Sequence, residues 1–148
     1  MTVTFDADDV VYFDEVHGRR ATAYVLERRQ IEYRDGSRPR ENDCHANAVR
    51  WAAEAPGLVP IHGWLIETES QWQVTLVAHT VVSDEAGRLI DVTPMAIPVR
   101  RFLVDRGSAA DFFRRLPRCN TVSWPVLNWT EAMTGGGAEE TADGPVCP

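Results

Sequence analysis

Three residues of this chain have the types and spacing to carry out nucleophilic chemistry together: Cys44, His79 and Asp91. A thiol attacks a carbonyl only as its thiolate. An imidazole can take the thiol's proton and later return it to a leaving group. A carboxylate on the other ring nitrogen fixes the tautomer and stabilises the imidazolium. Taken singly, each residue has a structural alternative. Cys44 could be a small core residue, His79 a half-buried strand histidine bonded to a neighbour, and Asp91 a strand-end acid paired with Arg88 or a turn amide. An acid inside the run Leu89-Ile90-Asp91-Val92 is the hardest to dismiss, because burying it unpaired is costly.

The elements around these residues must bring them together. Asn42-Asp43-Cys44-His45 opens a helix, with Asn42 or Asp43 as N-cap. Its body, 46–54, is rich in alanine, and Pro56-Gly57 stops it. Cys44 then sits on the first helical turn. There, unpaired N–H groups and the helix dipole favour a thiolate. Strands are expected at 63–67 and 72–83, the second carrying Val74, Thr75, Val77, Thr80, Val81 and Val82. A turn at 84–87 leads into a return strand at 88–93, ended by Pro94. If 85–87 is a three-residue loop with Gly87 left-handed, Asp84 faces Arg88, Val81 faces Asp91 and His79 faces Thr93. His79 and Asp91 then share one face as diagonal neighbours, roughly 7 Å apart at the backbone. A loop one residue longer would put them on opposite faces.

Elsewhere, 97–104 reads as a strand and 108–116 as a helix, with Ser108 as N-cap and Asp111 as its capping-box acid. The first forty residues give strand-like pieces at 10–13, 21–26 and 31–33, the last followed by the turn Arg34-Asp35-Gly36-Ser37. The expected fold class is α+β, with the Cys-bearing helix packed on an antiparallel sheet. Residues 1–129 are expected to form one catalytic domain and 130–148 a disordered acidic tail.

At 148 residues the chain is the size of one domain and can bury a core without disulfides or metal. A net charge of −7 disfavours a nucleic-acid partner. The local pairs Arg19-Arg20, Arg28-Arg29, Arg100-Arg101 and Arg114-Arg115 read as solvated faces. No stretch approaches the ~20 apolar residues of a membrane span, and the N-terminus lacks the pattern of a signal peptide. Three cysteines without a CxxC spacing suit a reducing cytoplasm. The expectation is a cytoplasmic protein with a small-molecule or peptide-like substrate, and no nucleic acid, membrane, cofactor or metal.

Four further residues are candidates for the site. Asn42 and the N–H of Cys44 are possible oxyanion donors. His45 is a second base, a support for the thiolate, or a solvent-facing helix residue. Asn47, one turn after Cys44, lines the cleft or is solvated. Trp64 walls the site or belongs to the core. Cys119 and Cys147 read as structural, Trp124 and Trp129 as core, and His17 and His62 have no assignable partner.

A helix that starts with Cys, followed by a strand His and then an Asp on the next strand, resembles the papain-like fold, especially its transglutaminase-like branch. Arylamine N-acetyltransferases are similar in this order. The matching segments are Asn42-Asp43-Cys44-His45-Ala46-Asn47, Ala78-His79-Thr80-Val81-Val82 and Gly87-Arg88-Leu89-Ile90-Asp91-Val92-Thr93-Pro94. The steps are 35 residues from Cys to His and 12 from His to Asp. The resemblance spans residues 40–125. It implies Cys44 as nucleophile, His79 as base and Asp91 as the orienting acid of a thiol-dependent acyl-transfer enzyme. An amidase- or peptidase-type hydrolase comes first, since hydrolysis needs only water. The alternatives are a transglutaminase- or N-acetyltransferase-like acyltransferase, a non-catalytic binding module on the same fold, and a metal site built from Cys44, His79 and Asp91, with His45 as a further ligand.

Overall fold

The computed structural model describes residues 4–95 and 100–126. Helix α1, Ala7–Gly18, comes first. Its cap is Asp6, whose side chain accepts from Asp9 N at 2.8 Å. The strand expected at 10–13 is therefore a helix. Four adjacent apolar residues there resemble a strand, but only Asp9, Phe13 and Val16 of this element are buried, at helical spacing. A 3-10 turn, Arg20–Thr22, and strands β1, Tyr24–Val25, and β2, Glu27–Arg28, divide the piece expected at 21–26. The strand expected at 31–33 is a loop: Tyr33 N donates to Ser37 O at 2.8 Å, closing a turn.

Helix α2, Cys44–Glu54, follows, and it begins and ends where its sequence signals place it. Next come β3, Val59–Glu69, longer than the 63–67 expected, and β4, Val74–Ser83. β5, Leu89–Asp91, is the return strand, and β6, Arg101–Val104, covers the end of the strand expected at 97–104, of which 97–99 lie outside the described residues. Helix α3, Ala109–Cys119, is capped by Ser108, whose side chain accepts from Asp111 N at 3.1 Å. β7, Thr121–Trp124, has no counterpart in the sequence reading. The proposed tail, 130–148, with Cys147, and Trp129 also lie outside the described residues. No helix among the described residues is long and apolar enough to cross a membrane.

The fold is α+β. One seven-stranded sheet runs β1-β6-β3-β4-β5-β2, with β7 added on β4. All pairings are antiparallel except that of β2 with β5. β1 and β2 end opposite sides of this order, yet only Leu26 separates them in the chain. The sheet therefore curls almost into a barrel. One face carries Trp64, Ile66, Val74, Leu76, Ala78, Leu103 and Val122 under Phe13 and Val16 of α1 and Phe112 of α3. The other gathers Leu26, Leu65, Val77, Val81 and Phe102.

Gly63 is where strands meet most closely. It pairs with His79 on β4 and Val104 on β6. A Cβ there would lie 2.1 Å from Leu103 O and 2.7 Å from Phe102 Cζ. Gly63→Ala should therefore cost about 2–4 kcal/mol, seen as a lower urea midpoint at unchanged m. An unaltered midpoint would show that β6 does not press on β3 in this way.

Candidate functional site

β4 has β3 along one edge, but two strands share its other edge. β7 pairs with residues from Val74 to Val77, and β5 begins its pairing at Val82. The segment 78–81 lies between them, and the first turn of α2 meets β4 there. His79 lies on one face of β4, between Val77 and Val81, and Thr80 lies on the other. Consecutive residues of α2 approach both: Cys44 lies beside His79, and His45 Nδ1 bonds Thr80 Oγ1.

The turn after β4 brings the acid. Gly87 has φ +77, Gly87 N donates to Asp84 O at 2.9 Å, and Asp84 N donates to Arg88 O at 3.1 Å. Val82 pairs with Ile90 and Ser83 with Leu89. This is the register of the three-residue loop, and it places Asp91 on the face of His79. His79 Nε2 stands 3.0 Å from Asp91 Oδ2. The contact is a short ion pair, not aligned as a hydrogen bond. His79 Nδ1 has no other partner and is left as the nitrogen available to the thiol. Asp91 is held from two sides: Thr93 N donates to its Oδ1 at 3.0 Å, and Arg29 N donates to its carbonyl at 3.0 Å.

All three groups are buried, Cys44 and His79 at 1 % exposure and Asp91 at 2 %. Burial pushes the Cys44 thiol up, but hydrogen bonding by His45 and His79 outweighs it and brings the thiol down to about 6. Burial pushes His79 down, but the Asp91 carboxylate and then the Cys44 sulfur hold it up at about 9. Both shifts favour the thiolate–imidazolium form of the cluster, which titrates as a coupled pair.

The other candidates separate. Asn42 is exposed, with φ 61, and stands outside the cluster's hydrogen bonds. Left-handed backbone of this kind favours Gly, with Asn among the better-tolerated alternatives. Asp43 is the cap residue, yet its side chain caps nothing, so the first N–H groups of α2 keep no side-chain partner. His45 does not face solvent: its ring packs against Phe112 and Phe113. Asn47 is not solvated either. It is buried, donating to Arg40 O at 2.7 Å and Thr93 Oγ1 at 3.2 Å, and so ties α2 to the preceding loop and to the end of β5. Trp64 is core. It pairs with Ala78, on the face opposite His79, and donates Nε1–H to Tyr12 OH at 2.8 Å.

Sequence reasoning missed His62 and Thr80 as a pair. His62 Nδ1 lies 2.8 Å from the Thr80 hydroxyl that also binds His45. The signal was available, since two strands with a known register would have shown His62 facing Thr80. Among the described residues, no group of three or more His, Cys, Asp or Glu is arranged to hold a metal ion. A cavity of about 770 Å³, lined by Arg28, Arg29, Arg38, Thr93 and Met95, borders Asp91 but neither Cys44 nor His79. Comparisons with protein-family models, with curated proteins and with solved structures find no match to this chain.

Asp91→Asn removes the charge that holds His79 up. The imidazole should then titrate at least about one pH unit lower, read from its NMR chemical shifts against pH. An unmoved titration would take Asp91 out of the pair.

Proposed function

We propose that this protein is a thiol-dependent acyl-transfer enzyme acting on an amide or thioester carbonyl, most simply as an amidase- or peptidase-type hydrolase. The observation that carries the reading is the placement of His79 between Cys44 and Asp91, with its Nε2 3.0 Å from the carboxylate. The order of the three residues, which resembles that of papain-like and transglutaminase-like enzymes, supports it further.

Each group then has one task. The Cys44 thiolate attacks the carbonyl carbon and forms the C–S bond, while the carbonyl π electrons move to oxygen. The uncapped N–H groups at the start of α2, that of Cys44 first, suit this oxyanion. Collapse of the intermediate breaks the bond to the leaving group, which takes the proton from His79. Water then attacks the acyl-cysteine, His79 accepts its proton, and the C–S bond breaks to return the thiolate. An amine in place of water would make the same site a transferase. Asp91 keeps the imidazole oriented.

One observation favours a second reading, a non-catalytic binding module: Cys44 is only 1 % exposed. Reactivity separates the two. In the enzyme, iodoacetamide should alkylate Cys44 at a rate that rises through pH 6, as the thiol does. Cys119, buried in the apolar core, should stay slow. His79→Ala should move the rise towards an ordinary thiol value of about 8.5. If native Cys44 reacts no faster than Cys119, the enzyme reading fails and the binding module stands. Once a substrate is found, kcat/KM should rise as the thiol ionises near pH 6 and fall as the imidazolium is lost near pH 9. A profile flat across that range would exclude the thiolate–imidazolium pair as the working form.

A further inference from the structure

Beside the Cys44–His79–Asp91 cluster lies a second arrangement in which one hydroxyl serves two imidazoles. Thr80 Oγ1 bonds His45 Nδ1 and, at 2.8 Å, His62 Nδ1. The two rings stand 6.3 Å apart between centroids. Phe112 stacks on His62 at 5.5 Å, and Phe113 meets His45 edge-on at 5.1 Å and His62 at 4.6 Å. His45 Nε2 is buried without a hydrogen-bond partner, while His62 as a whole is partly exposed.

The proton count restricts this bridge. A hydroxyl donates one hydrogen and accepts through its lone pairs. It can therefore donate to only one of the two Nδ1 atoms, and the other ring must carry an Nδ1–H that donates to it. Both rings can donate to its two lone pairs at once, or one can donate while the other accepts, and this second case has two forms. In one, His45 Nδ1–H donates to Thr80, whose O–H donates to His62. In the other, His62 Nδ1–H donates to Thr80, whose O–H donates to His45. Exchanging them moves one proton from His45 to the oxygen and one from the oxygen to His62. The net result is one proton carried to His62 from a His45 that begins with both nitrogens protonated and ends neutral, with the hydroxyl restored.

We propose that Thr80 and His62 are positioning residues that set the tautomer and charge of His45, and through it the reactivity of Cys44. This rests on the reading of Cys44 as the nucleophile. The groups facing His45 fit the assignment. Cys44 adjoins it on α2, His62 reaches it from β3 through Thr80 of β4, and α3 presents the Phe112 and Phe113 rings. His62 itself is held below its ordinary range by burial and by His45, with Asp105 opposing. Because His62 is partly exposed, a proton that reaches it has a path to solvent.

The test is the pH profile of iodoacetamide modification at Cys44, read by mass spectrometry of the native full-length protein, in wild type, Thr80→Val, Thr80→Ser and His62→Gln. The acid limb should move up by about one pH unit in Thr80→Val and in His62→Gln, a tenfold slower reaction on that limb. Thr80→Ser should restore it. If wild-type Cys44 is fast at low pH and all three variants follow the wild-type curve, the positioning role is overturned and the thiol-enzyme reading stands. If wild-type Cys44 is itself unreactive, both fall. Should the variants not fold, ¹⁵N NMR of the wild-type imidazoles decides the matter. Neutral His45 and His62 should carry at least one Nδ1–H between them. Two unprotonated Nδ1 atoms would refute the bridge.

Discussion

Holding an imidazole in a dry interior between a thiol and a carboxylate sets the demands that the surrounding structure meets. Taking a charged pair out of water costs several kcal/mol per ion unless geometry and further hydrogen bonds return it. His79 and Asp91 are each almost wholly buried, so the pair stands only while both positions are fixed. Asp91 is fixed by the Thr93 amide on its side chain and the Arg29 amide on its carbonyl. His79 is fixed by the strand it belongs to. Displacing either would leave an uncompensated charge inside the protein, a stronger penalty than loss of the contact itself.

The sheet meets this demand through a division of labour along β4. Its apolar residues at 74, 76 and 78 face the helices α1 and α3, and Val77 and Val81 line the other face. Between the end of β7 and the start of β5, the strand keeps one edge unpaired in the ladder, and the first turn of α2 takes that place. A helix start suits the position twice over. Its free N–H groups need partners, and its dipole favours a negative sulfur. Adjacent residues on a strand point to opposite faces, so the same turn reaches His79 through Cys44 and Thr80 through His45. Asn47, one turn further on, locks the helix to Arg40 and Thr93, close to the backbone that holds Asp91.

What the sequence made legible follows from how local each determinant is. The α2 boundaries rest on Pro56-Gly57 and an alanine-rich body. The Asp91 register rests on a loop whose length is fixed by one left-handed glycine, Gly87. Both are short-range signals, and both hold in the structure. The early chain was misread because Val10-Val11-Tyr12-Phe13 is apolar throughout and hides its period, while the decisive signal, the Asp6 cap, lies before it. β7 was missed because four residues after a helix carry little pattern of their own. They become a strand by pairing with β4, which is a tertiary effect. Trp64 and His45 show the same limit at single residues. Which face each side chain takes depends on pairing between β3 and β4 and on the approach of α3, neither of which is written locally.

Two imidazoles act on Cys44, and their environments differ in a way that suits different work. His79 is sealed and paired with a carboxylate that favours its charged form. His45 has no carboxylate within its bonds. Its Nδ1 shares the Thr80 hydroxyl with a second, partly exposed histidine, His62. A thiol served only by a sealed base would take up and lose protons by way of that base alone. In the proposed enzyme, a second imidazole linked to the surface would give the sulfur an exchange route that leaves the His79–Asp91 pair undisturbed. The separation is set by β4 itself, whose successive side chains, His79 and Thr80, meet one helical turn from opposite faces.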